Sequence, residues 1–153
     1  MNTKVMIPVF AMVTLTIMTL YFYTHPSYQK SIQAKYYYEM GDYTEAYSLA
    51  KEAFGLDLYN RMAATVMAGS TTALKYVKYI NEGKGYIRNI GKIAENETIS
   101  SGDKAKIKLI CEIMIDSYVK LAPSVVIDKD LVSEAARYHA KFEKLLEKVN
   151  SQV

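Results

Sequence analysis

From the amino terminus the chain opens on an unbroken apolar run and then settles into a helical rhythm. Val5 to Tyr23, VMIPVFAMVTLTIMTLYFY, is a stretch of 19 residues without a charge. At about 1.5 Å per residue, a helix of that length just crosses a hydrocarbon core of roughly 30 Å. The run ends in Tyr21, Phe22 and Tyr23, amphipathic rings that favour the headgroup level. Pro8 falls in its first turns, where a missing backbone donor costs least. A soluble core helix would show a polar stripe, and this run has none. A cleaved signal peptide would have a shorter apolar region and a small-x-small site, whereas TLYFYTHPSYQ is bulky. Residues 1–25 are therefore expected to be a retained transmembrane signal anchor, with Val5 and Tyr23 at the two ends of the span.

Beyond Pro26 and Ser27 the apolar spacing is that of helices. Ile32, Tyr36 and Met40 recur at intervals of four, with Ala34, Tyr37 and Tyr38 between them, and Gly41-Asp42 closes the segment in a tight turn. Tyr43, Ala46, Tyr47, Leu49, Ala50, Ala53 and Phe54 form a second helix ending near Gly55. A third is expected over 59–80 with Met62, Val66, Leu74, Val77 and Ile80 on one side, weakened or kinked at Gly69. Gly83 and Gly85 punctuate the next turn, ahead of a short helix over 86–95 carrying Ile87, Ile90 and Ile93. A fifth begins near Asp103 behind the candidate caps Ser100 and Ser101, buries Ile107, Ile110, Cys111, Met114, Tyr118 and Leu121, and is closed by Pro123. The last starts near Asp130 and repeats Leu131, Ala135, Tyr138, Phe142, Leu145 and Val149 in steps of four and three. Only Ser124 to Ile127 reads as a stray strand. The fold class is all-α: one transmembrane helix, then a small antiparallel helical-hairpin domain of about five helices over 26–153.

Composition sharpens this picture at two points. Half of the 153 residues are apolar, with seven Gly and three Pro, which suits a packed helical body. The 14 Tyr and no Trp supply rigid area with a polar tip, suited to half-buried faces and protein interfaces. The net charge of +3 is too mild for a nucleic-acid binder. Cys111 is the single cysteine, so no internal disulfide can form.

The 34 residues from Ser27 to Asn60 resemble a tetratricopeptide repeat. The matching positions are Ala34 and Tyr37, the turn Gly41-Asp42-Tyr43, and Ala46, Ala50 and Ala53, with the run GDYTEAY the most specific part. In that family small residues sit where two antiparallel helices approach closely and aromatic rings fill the gaps, so the resemblance implies packing roles for these residues. Where the family usually has Pro near the end of the second helix, this chain has Leu58. A second unit would begin near Arg61 with Ala64 and Ala68 suitably placed, but no small-residue turn follows at the expected distance. One repeat cannot bury its own face, so the remaining helices must complete the core. By layout and composition, a short anchor followed by degenerate repeats is also similar to periplasmic accessory scaffolds of Campylobacter-type flagellar motors. A four-residue tail before the span is easily left on the cytoplasmic side with the body translocated, so an inner (cytoplasmic) membrane location with a periplasmic body is expected. The charge rule is nearly balanced, with Lys4 before the span and Lys30 and Lys35 after it, so the opposite orientation stays open.

Residues with chemical potential are present but isolated. His139 has no His or Cys at ligand spacing. Glu112 and Asp116 share a helix face but are flanked by Lys108 and Lys120, as on a solvated surface. Cys111 lies on an apolar stripe. Gly69-Ser70-Thr71-Thr72 and Gly83-Lys84-Gly85 lack the lysine, glycine or strand that a phosphate loop requires. Asn96-Glu97-Thr98 fits the glycosylation sequon in an expected loop. The basic cluster Lys75, Lys78, Lys84, Arg88 and Lys92, diluted by Glu82 and Glu95, reads as a solvated face. No enzyme, metal or cofactor is expected. Adjacent Tyr36, Tyr37 and Tyr38 point about 100° apart, so at least one faces outward, and Tyr36, Tyr38 and Tyr47 are the candidate partner surface. The expected function is a membrane-anchored protein–protein interaction scaffold, a structural or accessory subunit of a bacterial envelope machine such as the flagellar motor. The competing reading is a stand-alone adaptor or assembly factor that recruits clients through a repeat groove. Self-association is open under both.

Overall fold

The computed structural model describes residues 3–95, 98–121 and 127–151. Among them are six helices and no strand: α1 (Thr3–Thr24), α2 (Pro26–Glu39), α3 (Tyr43–Leu56), α4 (Arg61–Ala94), α5 (Ser101–Val119) and α6 (Lys129–Ser151). The chain divides into two compact units, Met1–Thr71 and Thr72–Val153, and α4 contributes to both. Pro123 and most of the stretch 124–127 lie outside the described residues, as do Asn96 and Glu97 of the sequon.

Helix α1 is long and apolar enough over Met6–Thr24 to cross a membrane, and none of that stretch is buried against the rest of the chain. The threonine hydroxyls within that stretch are turned back onto the helix. Thr14, Thr16 and Thr19 each donate to the carbonyl four residues earlier at 2.8 Å, so their polar atoms are satisfied without water. At its C-terminal end Gln29 Nε2 donates to the carbonyls of Phe22 and Tyr23 at 3.0 and 3.1 Å. These are two of the orphan acceptors that every helix leaves at its end.

In the first unit α2 and α3 run in opposite directions. Ser27 at the start of α2 meets Ala53 near the end of α3, while Tyr38 near the end of α2 sets its ring against Tyr43 at the start of α3, 5.4 Å apart. The turn between them follows from its residues. Gly41, at φ +81°, takes the left-handed conformation that favours glycine. That lets the Gly41 and Asp42 amides donate to the carbonyls of Tyr38 and Tyr37, closing α2 in a Schellman motif. Asp42 then caps α3, accepting from the Glu45 amide at 3.1 Å.

Ala34, Ala46 and Ala50 line the seam between the two helices and are fully buried beside Val66 of α4. One end of the seam is held by polar groups. The buried Asn60 donates through Nδ2 to Ser27 Oγ at 2.9 Å and Ser31 Oγ at 3.2 Å. Ser27 Oγ donates onward to the Ala53 carbonyl at 2.8 Å, and Asn60 Oδ1 accepts from the Ala63 amide at 3.1 Å. One side chain thus caps α4 and ties it to both preceding helices.

The expected break at Gly83 and Gly85 is absent: the third and fourth expected helices are one helix, α4. Gly69 leaves it helical as well. Gly69 lies beneath the ring of Tyr38, where a Cβ would come within 3.0–3.2 Å of three side-chain atoms. Gly83 lies beneath the ring of Tyr138, where a Cβ would come within 3.1 Å. These two glycines serve close approach, and their helical backbone asks for no turn.

The second unit packs the rest of α4 with α5 and α6 around Met114 and Phe142, both fully buried. Ile107, Ile110 and Cys111 of α5 and Ala135 and Tyr138 of α6 join them, in the register expected from the spacing. Ser100 caps α5, its Oγ accepting from the Asp103 amide at 3.1 Å and donating to the Asp103 carboxylate at 2.7 Å.

Substitution at Asn60 and at the glycines of α4 tests this packing. Asn60→Ala removes a cap and leaves buried serine hydroxyls short of a donor, so it should cost about 2–3 kcal/mol in chemical denaturation; a loss below about 1 kcal/mol would mean that the network is not structural. Gly85 has open space around it, so Gly85→Ala should stabilise by about 0.8–1 kcal/mol, while Gly83→Ala should destabilise because the Tyr138 ring must move.

Candidate interaction face

The alanine and serine seam decides what α2 presents to solvent. Helices packed through side chains that small leave no room between them for large ones. On α2 the inward positions are Ser27, Ser31 and Ala34, with Tyr38 half-buried. The large apolar series Ile32, Tyr36 and Met40 faces outward, 47%, 58% and 66% exposed. The side chains that α2 buries are small or polar, and these large apolar ones stand outside among Gln33, Lys35 and Glu39. Tyr37 is also exposed, and its ring meets that of Tyr36 edge-on at 5.7 Å.

The residues singled out from the sequence separate accordingly. Ala34, Tyr43, Ala46, Ala50 and Ala53 are buried, and Gly41 makes the turn. Tyr37, expected among the packing residues, lies on the outside. Of the candidate surface tyrosines, Tyr36 is exposed, Tyr47 is half-buried, and Tyr38 is committed to packing against Tyr43 and over Gly69. Tyr23 at the end of α1 is exposed, and the Val5 side chain lies outside the described set. Ser27, Ser31 and Asn60, which set this geometry, stand in the sequence only as polar residues at segment ends. Their one signal is a spacing that places two of them on the inner face of α2 and the third at the cap of α4.

The residues singled out for their chemistry lie apart among the described residues. Among the described residues no cluster of three or more His, Cys, Asp or Glu is placed to hold a metal ion. Cys111 is buried, and burial pushes its thiol pKa up, with Glu112 adding to the rise, away from thiolate character. His139 is stacked on Tyr118 at 4.3 Å, with Nδ1 3.5 Å from Glu143. Asp116 is bonded by Lys120, and in the basic cluster Lys84 pairs with Glu134 at 3.1 Å and Lys78 with Glu82 at 3.9 Å. Exposed pairs of this kind contribute little.

One tyrosine is placed unusually. The Tyr79 hydroxyl is buried without a hydrogen-bond partner among the described residues. Burial first, then Tyr118 and Glu143, pushes its pKa up to about 12. Compared with protein-family models, curated proteins and solved structures, the chain finds no match.

Tyr79 has a pH signature whose sign is fixed. With the folded pKa above the unfolded value of 10, its contribution to stability is whole below pH 10 and is lost as pH rises toward about 12. Tyr79→Phe removes an unsatisfied buried hydroxyl. It should raise stability at neutral pH by about 1 kcal/mol and flatten the alkaline decline in denaturation midpoints. An unchanged alkaline slope would show that Tyr79 does not govern it.

Proposed function

We propose that this protein is a membrane-anchored scaffold that binds other proteins, an accessory or structural subunit of a bacterial envelope machine such as the flagellar motor. In this role α1 is retained in the inner membrane, the remainder lies in the periplasm, and α2 with α3 acts as a degenerate tetratricopeptide-like pair. The observation that carries it is the outward apolar stripe Ile32, Tyr36 and Met40 on the helix that immediately follows the anchor. An isolated exposed apolar residue is ordinary, whereas a series along one helix face marks a binding surface. Tyrosine suits the task, giving large contact area at low cost in conformational entropy. The 34-residue span, the small-residue seam and the turn at Gly41 support the repeat likeness, and the uncovered, hydroxyl-satisfied α1 supports the anchor.

The test is crosslinking and pull-down from native membranes with a C-terminally tagged chain, comparing wild type with Tyr36→Ala. Because Tyr36 is exposed, the variant should keep its denaturation midpoint while recovery of stoichiometric partners falls about tenfold, the equivalent of roughly 1.4 kcal/mol. Equal recovery by both proteins would remove the α2 face from the interface. Recovery of many substoichiometric clients would replace the machine subunit with a stand-alone adaptor.

A further inference from the structure

The second unit carries two surfaces of complementary chemistry. Between the C-terminal halves of α4 and α6 lies an open groove of about 420 Å³. Its floor is Ile87, Ile90, Ala94 and Leu145, and the charged side chains lining it are Lys141, Lys144 and Lys148, with no acid among them. Gly91 also lines it, with nothing within 4 Å of where its Cβ would stand. From Ile87 to Ala94 and from Lys141 to Lys148, each wall is two helical turns, about 10 Å long. That length takes the i, i+4, i+7 face of a helix and is too short for an extended acyl chain.

The complementary ridge is on α5. Its inward side is Ile107, Ile110, Cys111 and Met114, yet Leu109 and Ile113 stand 57% and 46% exposed on the other side. Glu112 and Asp116 flank them, so that Leu109 to Asp116 presents two apolar anchors and two carboxylates over two turns, again about 10 Å. Lys106, Lys108 and Lys120 lie beyond the two ends, and the Lys120 contact to Asp116 is a surface pair that can exchange partners at little cost.

We infer that this chain self-associates, with the α5 ridge of one copy seated in the α4–α6 groove of the next. Leu109 and Ile113 cover Ile87, Ile90 and Leu145, and Glu112 and Asp116 face Lys141, Lys144 and Lys148. Because ridge and groove are different patches, the contact is heterologous and propagates into a ring or an open row of copies. The charges set register and rate of encounter, while the apolar anchors supply most of the affinity.

The full chain in nanodiscs or detergent, followed by sedimentation velocity over a concentration series, tests this. Wild type should assemble beyond a dimer, and more weakly at high salt. Gly91→Leu projects into the groove from a position whose Cβ meets nothing within 4 Å, and Ile113→Glu breaks the exposed ridge; each alone should weaken assembly at least about tenfold with unchanged circular dichroism. Mixing the two variants should restore one contact only, that between the intact ridge of Gly91→Leu and the intact groove of Ile113→Glu, giving a species that stops at two copies. A monomeric wild type would overturn the inference and leave the groove to a different partner. Assembly untouched by both variants, as through α1, would overturn it too, as would failure of the mixture to form a dimer.

Discussion

The first unit depends on the amide of Asn60. A buried amide has up to four hydrogen-bonding positions to satisfy, and leaving one unmet costs more than a made bond contributes. Here both serine hydroxyls, the α3 carbonyl at Ala53 and the Ala63 amide in the first turn of α4 are drawn into one network. Such a network is satisfied only in a narrow range of positions, so it sets how α2, α3 and the start of α4 meet. The alanine seam follows, because helices held that close admit no larger side chain at Ala34, Ala46 and Ala50. The outward placement of Ile32, Tyr36 and Met40 is then a consequence: these side chains have nowhere else to go.

The second unit holds together on a different basis. Its centre is Met114 and Phe142 with isoleucines and tyrosines around them, an arrangement stabilised chiefly by the removal of apolar surface from water. Large rings need space, and Gly83 supplies it beneath Tyr138 as Gly69 does beneath Tyr38 in the first unit. The same device therefore recurs in both units, within one helix of 34 residues. Glycine at these two positions weakens the isolated helix, and the ring contacts it permits offset that cost.

The proposed function draws on what each unit leaves uncovered. Among the described residues the buried titratable groups Tyr76, Tyr79, Cys111 and Tyr138 are part of the apolar cluster of the second unit. Binding needs exposed apolar area of defined shape. The α2 stripe, the α5 ridge and the lysine-edged groove each provide it, on rigid helices where the ordering entropy of a loop need not be met at association.

Much of this was legible from residue order alone. The charge-free run marks a helix able to span a membrane, the all-helical class follows from the rhythm of α5 and α6, and the cap at Ser100 and the turn at Gly41-Asp42 are local chemistry that neighbouring residues decide. Periodicity also found the inner faces of α5 and α6, because there the large apolar residues point inward as the usual rule assumes. On α2 the helical spacing left the inner face undecided; the repeat likeness placed Ala34 and Tyr37 there, and of these Ala34 is buried and Tyr37 exposed. The sequence reading failed at Gly83, where glycine as a helix breaker and glycine as a site of close approach have the same spelling. Which side of α2 is inside, which glycines lie beneath a ring, and whether Tyr36 or Tyr38 is free to bind were decided by tertiary contacts between residues far apart in sequence. Those contacts depend on the volume available between helices, a property of pairs of elements that no single segment encodes.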